Sequence, residues 1–381
     1  MIKKHYLLSP GPTPIPNKVL AVAAQPIIHH RSKEFSNILK QVMEDLKYVF
    51  QTRQDVFILS SSGTGAMEAA VVNTLSPGDK VITINLGKFG QRWSNICSAY
   101  GLNVIEIEVE WGEVCSPEYL ANVLRSNPGT KAVFSTLCET STGTIYDIQG
   151  YAKVVAPSET ILIVDGISGI GAAKCPMDKW KIDILISGSQ KSFMTPPGLS
   201  YIAFSDKAWK HVENSTLPKY YFSAKSAKES LSRETTPWTP ATSLVIQQQK
   251  ALEIIREIGL NNLIEHHRIL GNAARAGVKA IGLELLSKNP GNILTAVKVP
   301  EGIDGNQLIA LMQKKYQVYI AGAQAPHTGE FFRIGHLGYS GGFDIITALS
   351  ALEMTLMELN HNFITGQSLS AAQNILKENW S

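Results

Sequence analysis

The chain has 381 residues, of which 44% are hydrophobic and 18% are charged, with a formal net charge of +3. This composition is that of an ordinary globular protein, long enough for one large domain and a smaller one. The positive charge is weak and scattered, with no run rich in lysine and arginine, which argues against nucleic acid as a partner. No apolar stretch approaches the roughly 20 residues that span a membrane, and the first residues do not form a signal peptide. We therefore expect a cytoplasmic protein without a membrane contact.

The first segment is rich in proline, with four proline residues in 9–16. Proline fixes φ and removes an amide donor, so residues 1–18 are predicted to form an extended N-terminal arm. Residues 9–16 cannot form a core of their own, and we expect them to lie across a partner chain.

From residue 55, short apolar runs alternate with stretches of helical periodicity. Helices are predicted over 64–75 and 90–100. Strands are predicted over 56–59, 81–85, 104–109, 132–136, 161–164 and 184–186. This alternation predicts an α/β fold with a mostly parallel sheet between helices. Ligands bind beyond the carboxyl ends of the strands in such sheets, so functional residues are expected in the loops that follow them.

The C-terminal third has the pattern of a compact α+β domain. Helices are predicted over 244–256, 259–280 and 343–359, and strands over 295–299 and 331–334. The domain boundary is placed near residue 257, which gives a large domain over 19–257 and a small domain over 258–381.

Three polar features follow predicted strands. The turn at 60–65 (SSSGTG) opens a helix, and backbone amides at a helix N-terminus can bind an anion. Asp165 ends an apolar strand and could be a cofactor partner, a metal ligand or a helix cap. Lys191 follows another apolar strand, where partial desolvation lowers the pKa of an amine and suits it to form a Schiff base. A carboxylate, an amine and an anion seat are together the parts that pyridoxal phosphate requires.

The chain also resembles a known family. It is similar to fold-type-I, class V aminotransferases, and within them to the alanine–glyoxylate and serine–pyruvate branch. The resemblance implies a sheet of the seven-stranded type in the large domain. The similar segments are SPGPTPIP at 9–16, QTR at 51–53, SSGTGAMEAA at 61–70, PGDKV at 77–81, ETSTG at 139–143, LIVDGISGIG at 162–171, SGSQKSFMTPPG at 187–198 and FFRIGHLG at 331–338.

The resemblance implies a role for each matched residue. Lys191 corresponds to the Schiff-base lysine, and Asp165 to the carboxylate that keeps the pyridine nitrogen protonated. Arg333 corresponds to the arginine that binds the substrate carboxylate, and Ser141 to a serine near both that carboxylate and the ring hydroxyl. The resemblance also implies further contacts to the cofactor, some of them to its phosphate group, from Ser62, Gly63, Thr64, Ile167 and Gln190.

Two positions depart from the family pattern. Phe89 stands where the family often has a tryptophan on the cofactor ring, and a phenylalanine can still stack. Trp93 lies one helical turn later and is assigned to the core. In TTPWTPAT at 235–242, either Thr236 or Thr239 would reach the cofactor phosphate of a neighbouring subunit, and we prefer Thr239. The resemblance therefore implies a homodimer.

The implied reaction moves an amino group from alanine or serine to glyoxylate or pyruvate. A single carboxylate-binding arginine favours small monocarboxylic substrates. The first alternative is a phosphoserine aminotransferase, because His30 and Arg31 could bind a substrate phosphate.

An alternative of another class is a subunit of a redox complex without transaminase activity. The four cysteines, Cys97, Cys115, Cys138 and Cys175, lack metal-ligand spacing, so no metal site is predicted and reduced thiols are expected. A cysteine desulfurase is excluded, because it needs a cysteine in a later loop and none follows Cys175.

Overall fold

The structure is a computed structural model that describes residues 4–379. Within that range the strands are β1 (Tyr6–Leu7), β2 (Val56–Leu59), β3 (Lys80–Asn85), β4 (Asn103–Glu108), β5 (Ala132–Thr136), β6 (Cys138–Glu139), β7 (Thr144–Ile145), β8 (Ile161–Asp165), β9 (Ile184–Gly188), β10 (Ser200–Phe204), β11 (Leu294–Lys298), β12 (Val318–Tyr319), β13 (Ala321–Gly322) and β14 (Phe331–Gly335). The α-helices in the same range are α1 (Asn17–Ala21), α2 (Lys33–Phe50), α3 (Gly63–Thr74), α4 (Lys88–Ala99), α5 (Pro117–Ser126), α6 (Ile148–Val155), α7 (Met177–Trp180), α8 (Asp206–Asn214), α9 (Ala224–Leu231), α10 (Thr242–Ile258), α11 (Leu260–Ala280), α12 (Gly305–Tyr316), α13 (Gly342–Glu358) and α14 (Gln367–Glu378).

The large sheet has seven strands in the order β2-β10-β9-β8-β5-β3-β4. The five strands from β9 to β4 run parallel, whereas β10 is antiparallel to both β9 and β2. The predicted α/β fold with a mostly parallel sheet is therefore confirmed. Strand β10 was not predicted. Its reversed direction places its first residue, Ser200, at the edge where the parallel strands end.

Helices cover both faces of this sheet, because its central strands are apolar on both sides. In β8 the side chains alternate between the two cores: Ile163 packs with α3 and α4, whereas Leu162 and Val164 pack with α2, α6 and α10. Trp93 is fully buried and lies against Phe134, so its predicted core role is confirmed.

The C-terminal region contains a three-stranded antiparallel sheet in the order β11-β14-β13. Its core is shared with helices α11 to α14. Helix α11 passes between the two regions, because Leu260 and Leu263 pack in the core of the large sheet and Leu270 packs in the C-terminal core.

The N-terminal arm packs on its own chain. Strand β1 pairs with β12, and the backbone of Thr13 bonds to the carbonyl oxygen of Gln190 at 3.2 Å. Leu8 to Thr13 fill a groove of the same chain, and the expectation that residues 9–16 lie across a partner stays a prediction. That groove exists because Gly335 and Gly338 carry no side chain where the arm crosses them.

Among residues 4–379, no helix combines the length and the apolar character needed to cross a membrane.

Candidate active site

Two ionisable side chains meet where adjacent strands of the large sheet end. Asp165 is the last residue of β8, and Lys191 follows the end of β9, which pairs directly with β8. Both groups are buried, with Asp165 3% exposed and Lys191 8% exposed. The sheet topology therefore brings together the two residues that the sequence placed 26 positions apart (191 − 165).

Burial brings the pKa values of these two groups close together. Removal from water lowers the pKa of the Lys191 amine to about 8, although the nearby Asp165 carboxylate opposes this shift. Burial also raises the pKa of Asp165 to about 7; the backbone N–H of Ile167, which donates to its Oδ1 at 2.8 Å, opposes the shift. The Lys191 amine is thus far easier to deprotonate than a surface lysine.

The N-terminus of α3, the predicted anion seat, lies beside this pair. Ile167 lies between the start of α3 and the end of β9. A methyl group added to Gly63 would lie 2.4 Å from its Cδ1, and one added to Gly188 would lie 3.5 Å from its Cγ2. Gln190 points its Oε1 atom into buried space, where that atom has no hydrogen-bond partner among the described residues. A buried polar atom of this kind calls for a polar ligand. The predicted contacts Gly63, Thr64, Ile167 and Gln190, with Ser62 as the residue before α3, therefore lie around one space.

Phe89 lies in the first turn of α4. The guanidinium of Arg92 packs over the Phe89 ring at 4.7 Å and donates to the Thr64 hydroxyl at 3.0 Å. Arg92 also contributes to lowering the pKa of Lys191. Sequence reasoning passed over Arg92, although it lies in GKFGQRW at 87–93, the segment that identified Phe89.

Glu139 is a second residue that sequence reasoning missed, although it begins the ETSTG segment. It is fully buried, and its Oε2 accepts hydrogen bonds from the backbone N–H groups of Phe89 and Gly90, both at 3.0 Å. Its Oε1 accepts from the backbone N–H of Ser141 at 3.0 Å and from the Ser141 hydroxyl at 2.6 Å. A single carboxylate therefore holds the start of α4 and the predicted substrate-binding serine.

Arg333 reaches the same cleft from β14 of the smaller sheet, and it is 7% exposed. Its Nε and Nη2 donate to the carbonyl oxygen of Gly322 at 3.1 and 2.6 Å, and its Nη1 donates to that of Thr140 at 2.9 Å. Burial lowers its pKa to about 10, so the guanidinium is charged at neutral pH. A guanidinium has five N–H donors, and three are engaged with residues of the described range 4–379, so two remain there for a ligand.

The segment that carries Thr236 and Thr239 lies against the turn before α3. The backbone N–H of Ala241 donates to the Ser60 hydroxyl at 3.1 Å. The Thr236 hydroxyl donates to the carbonyl oxygen of Trp238 at 2.7 Å, whereas Thr239 is exposed. Arg31 donates to the Thr235 hydroxyl and, at 2.7 Å, to the carbonyl oxygen of Thr236. The His30–Arg31 pair therefore adjoins this segment.

The four cysteines are buried free thiols. Over residues 4–379, no group of three or more histidine, cysteine, aspartate or glutamate side chains is arranged to hold a metal ion.

Comparison with known proteins places this geometry in a family. The sequence model of class-V aminotransferases matches residues 5–325. The chain is 40% identical to a protein named as the small subunit of a soluble hydrogenase from Synechococcus sp., with 99% of each chain covered. It is 35% identical to a serine–glyoxylate aminotransferase from Methylorubrum extorquens, over 99% of this chain and 97% of that one. Its structure is similar to that of ureidoglycine–glyoxylate aminotransferase from Bacillus subtilis, with a TM-score of 0.95, 28% identity and 99% of each chain covered. From these similarities and the site that it builds, the chain belongs to the class-V aminotransferase family and is a transaminase.

Proposed function

We propose that this transaminase uses pyridoxal phosphate and moves an amino group from alanine or serine to glyoxylate or pyruvate. The observation that carries the proposal is the buried pair of Lys191 and Asp165, with the Arg333 guanidinium directed into the same cleft from the other sheet. An amine of lowered pKa suits the cofactor's aldehyde, and a carboxylate suits a ring nitrogen that must stay protonated.

The other residues around this space fit the rest of the cofactor. The backbone N–H groups at the N-terminus of α3 provide donors for its phosphate, and the side-chain amide of Gln190 has an NH₂ group that can donate beside them. Phe89 offers a ring face for stacking, and the start of α4 that carries it is held by Glu139. When bound, the cofactor supplies an electron sink for the substrate's Cα. Lys191 is then the group placed to accept and return the proton at that carbon.

The substrate carboxylate would bind the two free N–H donors of Arg333, near Ser141. The Arg92 guanidinium donates to Thr64 and packs on Phe89, so it lies with the proposed cofactor contacts and not with Arg333. Arg333 is then the one arginine that we assign to a substrate carboxylate, which favours small monocarboxylic substrates. Two of the similar proteins described above are named for glyoxylate as acceptor, but their donors differ, so the donor must be measured.

A matrix of donors and acceptors tests the proposal. Alanine, serine and aspartate should each be paired with glyoxylate, pyruvate and 2-oxoglutarate, and the cofactor absorbance should be followed for each half-reaction. We expect alanine or serine with glyoxylate or pyruvate to give the highest kcat/KM. A clear preference for aspartate or 2-oxoglutarate would show that a second carboxylate is recognised and would contradict this choice of substrates.

Two alternatives are tested with the same protein. In a phosphoserine aminotransferase, replacing His30 and Arg31 together would selectively remove phosphoserine–2-oxoglutarate exchange. The bonds of Arg31 to Thr235 and Thr236 instead support a structural role for that arginine. The hydrogenase-subunit name of one relative favours a test for a redox role, and iron analysis of the purified chain provides it. Stoichiometric iron with no transaminase activity would establish that alternative.

We further propose a cytoplasmic homodimer in which Thr239 reaches the partner's cofactor phosphate. The exposure of Thr239, against the internal hydrogen bond of Thr236, supports this choice between the two threonines. Near Thr239, the exposed side chain of Tyr220 stacks on Trp238 with ring centroids 4.9 Å apart. An exposed aromatic surface of this kind is typical of an interface.

A further inference from the structure

The amine of Lys191 has a hydrogen-bond acceptor outside the strand ends that build the site. It donates to the backbone carbonyl oxygen of Pro10, in the N-terminal arm, at 2.5 Å. The arm is bonded to the same segment twice more, because Thr13 donates through its hydroxyl to the carbonyl oxygen of Lys191 at 3.1 Å and through its backbone to that of Gln190. The arm therefore covers the lysine and binds its amine directly.

Gly11 makes this close approach possible. Its φ of +140° is rarely adopted by residues with a side chain, and an added methyl group would lie 2.3 Å from the Lys191 Nζ. The same methyl group would lie 2.6 Å from Cε and 2.7 Å from Cδ. The lysine side chain thus lies flat against the arm along its outer half.

The other end of the arm is attached to the sheet that carries Arg333. Leu8 donates to the carbonyl oxygen of Tyr319 at 2.9 Å and accepts from the backbone N–H of Gly335 at 2.6 Å. Gly335 lies two residues after Arg333 on β14. A methyl group added to Gly335 would lie 2.4 Å from the carbonyl oxygen of Ser9. Three residues of chain, Leu8 to Pro10, therefore connect the strand of the predicted carboxylate-binding arginine to the lysine amine.

We propose that Pro10 is a positioning residue, whose carbonyl oxygen holds the amine of Lys191 whenever that amine is free, and that the arm couples its position to strand β14. An amine that donates one N–H to a fixed acceptor has its lone pair directed away from that acceptor. The carbonyl thereby orients the amine and keeps water from it. The importance of this orientation for catalysis rests on the proposed function, whereas the coupling itself is a property of the folded chain.

Trace acetylation of the full-length chain, after removal of any bound cofactor, measures the coupling. The reactivity of Lys191 towards acetic anhydride would be followed by peptide mapping between pH 6 and 10. In Gly11→Ala the amine cannot remain hydrogen-bonded to Pro10. We expect Lys191 to react about tenfold faster, because the loss of one hydrogen bond to a charged group changes an equilibrium by about that factor. Gly78→Ala is the matched control, because Gly78 has a φ of +80° and no atom within 4 Å of the added methyl group.

Gly335→Ala tests the coupling from the far end of the arm, since its methyl group would meet Ser9 and not the lysine. It should also accelerate the acetylation of Lys191, and it carries the test if Gly11→Ala does not fold. Acceleration in Gly11→Ala alone would overturn the coupling to β14. Unchanged reactivity in both variants, with melting temperatures showing both to be folded, would overturn the whole proposal. Because no cofactor or substrate is present, these results are independent of whether transamination is found.

Discussion

Glu139 should affect both stability and catalysis, and Glu139→Gln separates these effects. The amide can keep its oxygen towards the N–H groups of Phe89 and Gly90, which the Oε2 atom now binds. Its NH₂ group then faces the backbone N–H of Ser141, which loses its acceptor, while the Ser141 hydroxyl must turn to accept. One buried backbone donor without a partner costs about 1–3 kcal/mol, so we expect a loss of about 2 kcal/mol in the free energy of unfolding.

The chain offers a matched control in Glu353, which lies in α13 and is also buried. Its Oε1 accepts from the backbone N–H and the hydroxyl of Ser368, and its Oε2 accepts from the backbone N–H of Gly366 at 2.7 Å. Glu353→Gln likewise leaves one backbone donor without an acceptor. We therefore expect a similar loss of stability, about 2 kcal/mol, from this variant.

The two variants should differ in catalysis. Glu139 raises the pKa of Asp165 and holds Ser141, so its replacement should lower that pKa and reorient the serine. We expect kcat/KM to fall about tenfold or more in Glu139→Gln, which corresponds to roughly 1.4 kcal/mol of transition-state stabilisation. The kcat/KM of Glu353→Gln should remain within about twofold of the wild type, since this substitution lies far from the site and leaves the contacts there unchanged.

Denaturant unfolding and steady-state kinetics on the same preparations provide the measurement. Equal kcat/KM values in Glu139→Gln and the wild type would refute the positioning role of Glu139. An equal loss of activity in both variants would refute it too, since the effect would then follow from lost stability alone.

The remaining predictions concern the residues in direct contact with the proposed cofactor and substrate. Lys191→Ala should abolish turnover, and borohydride should fix the cofactor to the wild type only; a label on another lysine would contradict the assignment. Asp165→Asn should retain part of the cofactor binding but reduce kcat by several orders of magnitude. Because burial raises the Asp165 pKa from 3.8 to about 7, the folded chain binds the extra proton between these pH values. Without cofactor, the free energy of unfolding should then fall as pH rises through that range, and Asp165→Asn should lose this pH dependence. An equal dependence of the free energy of unfolding on pH in Asp165→Asn and the wild type would refute the raised pKa. Arg333→Ala should weaken the binding of every carboxylate substrate by about 30-fold or more, because removing one partner of a buried charge pair costs at least about 2 kcal/mol of binding free energy. In Arg333→Lys, which lacks the planar fork, most of this loss should remain, and full recovery would argue against a bidentate contact. Mixing Lys191→Ala chains with Thr239→Ala chains should give heterodimers with one intact site of two, each carrying about half of the wild-type activity, if twofold symmetry creates two shared sites. No recovery despite proven subunit exchange, in a mixture repeated with Thr236→Ala, would show that the sites are not shared.

Much of the large sheet followed from the sequence, because fully apolar runs such as 161–164 and 184–186 can only be buried strands in an alternating α/β pattern. That pattern also places Asp165 and Lys191 at strand ends, on the edge where parallel sheets bind ligands. Strand β10 was missed although 201–204 (YIAF) is apolar, because this run is short and follows a turn rich in proline and glycine; its place and direction in the sheet are given by its pairing with β9 and β2.

The contacts that adjust these groups were decided by the tertiary structure. Pro10 and Lys191 are 181 positions apart, and Thr140 and Arg333 are 193 apart, so no local pattern connects either pair. In the sequence Glu139 is one polar residue of a matched segment, and its importance lies in the four hydrogen bonds that its carboxylate accepts in the fold. Sequence periodicity reports which side of an element is buried, whereas hydrogen bonds between distant loops depend on how whole elements pack. The strand-end positions of Asp165 and Lys191 were therefore predictable, whereas the roles of Arg92 and Glu139 and the environment that sets protonation and orientation were not.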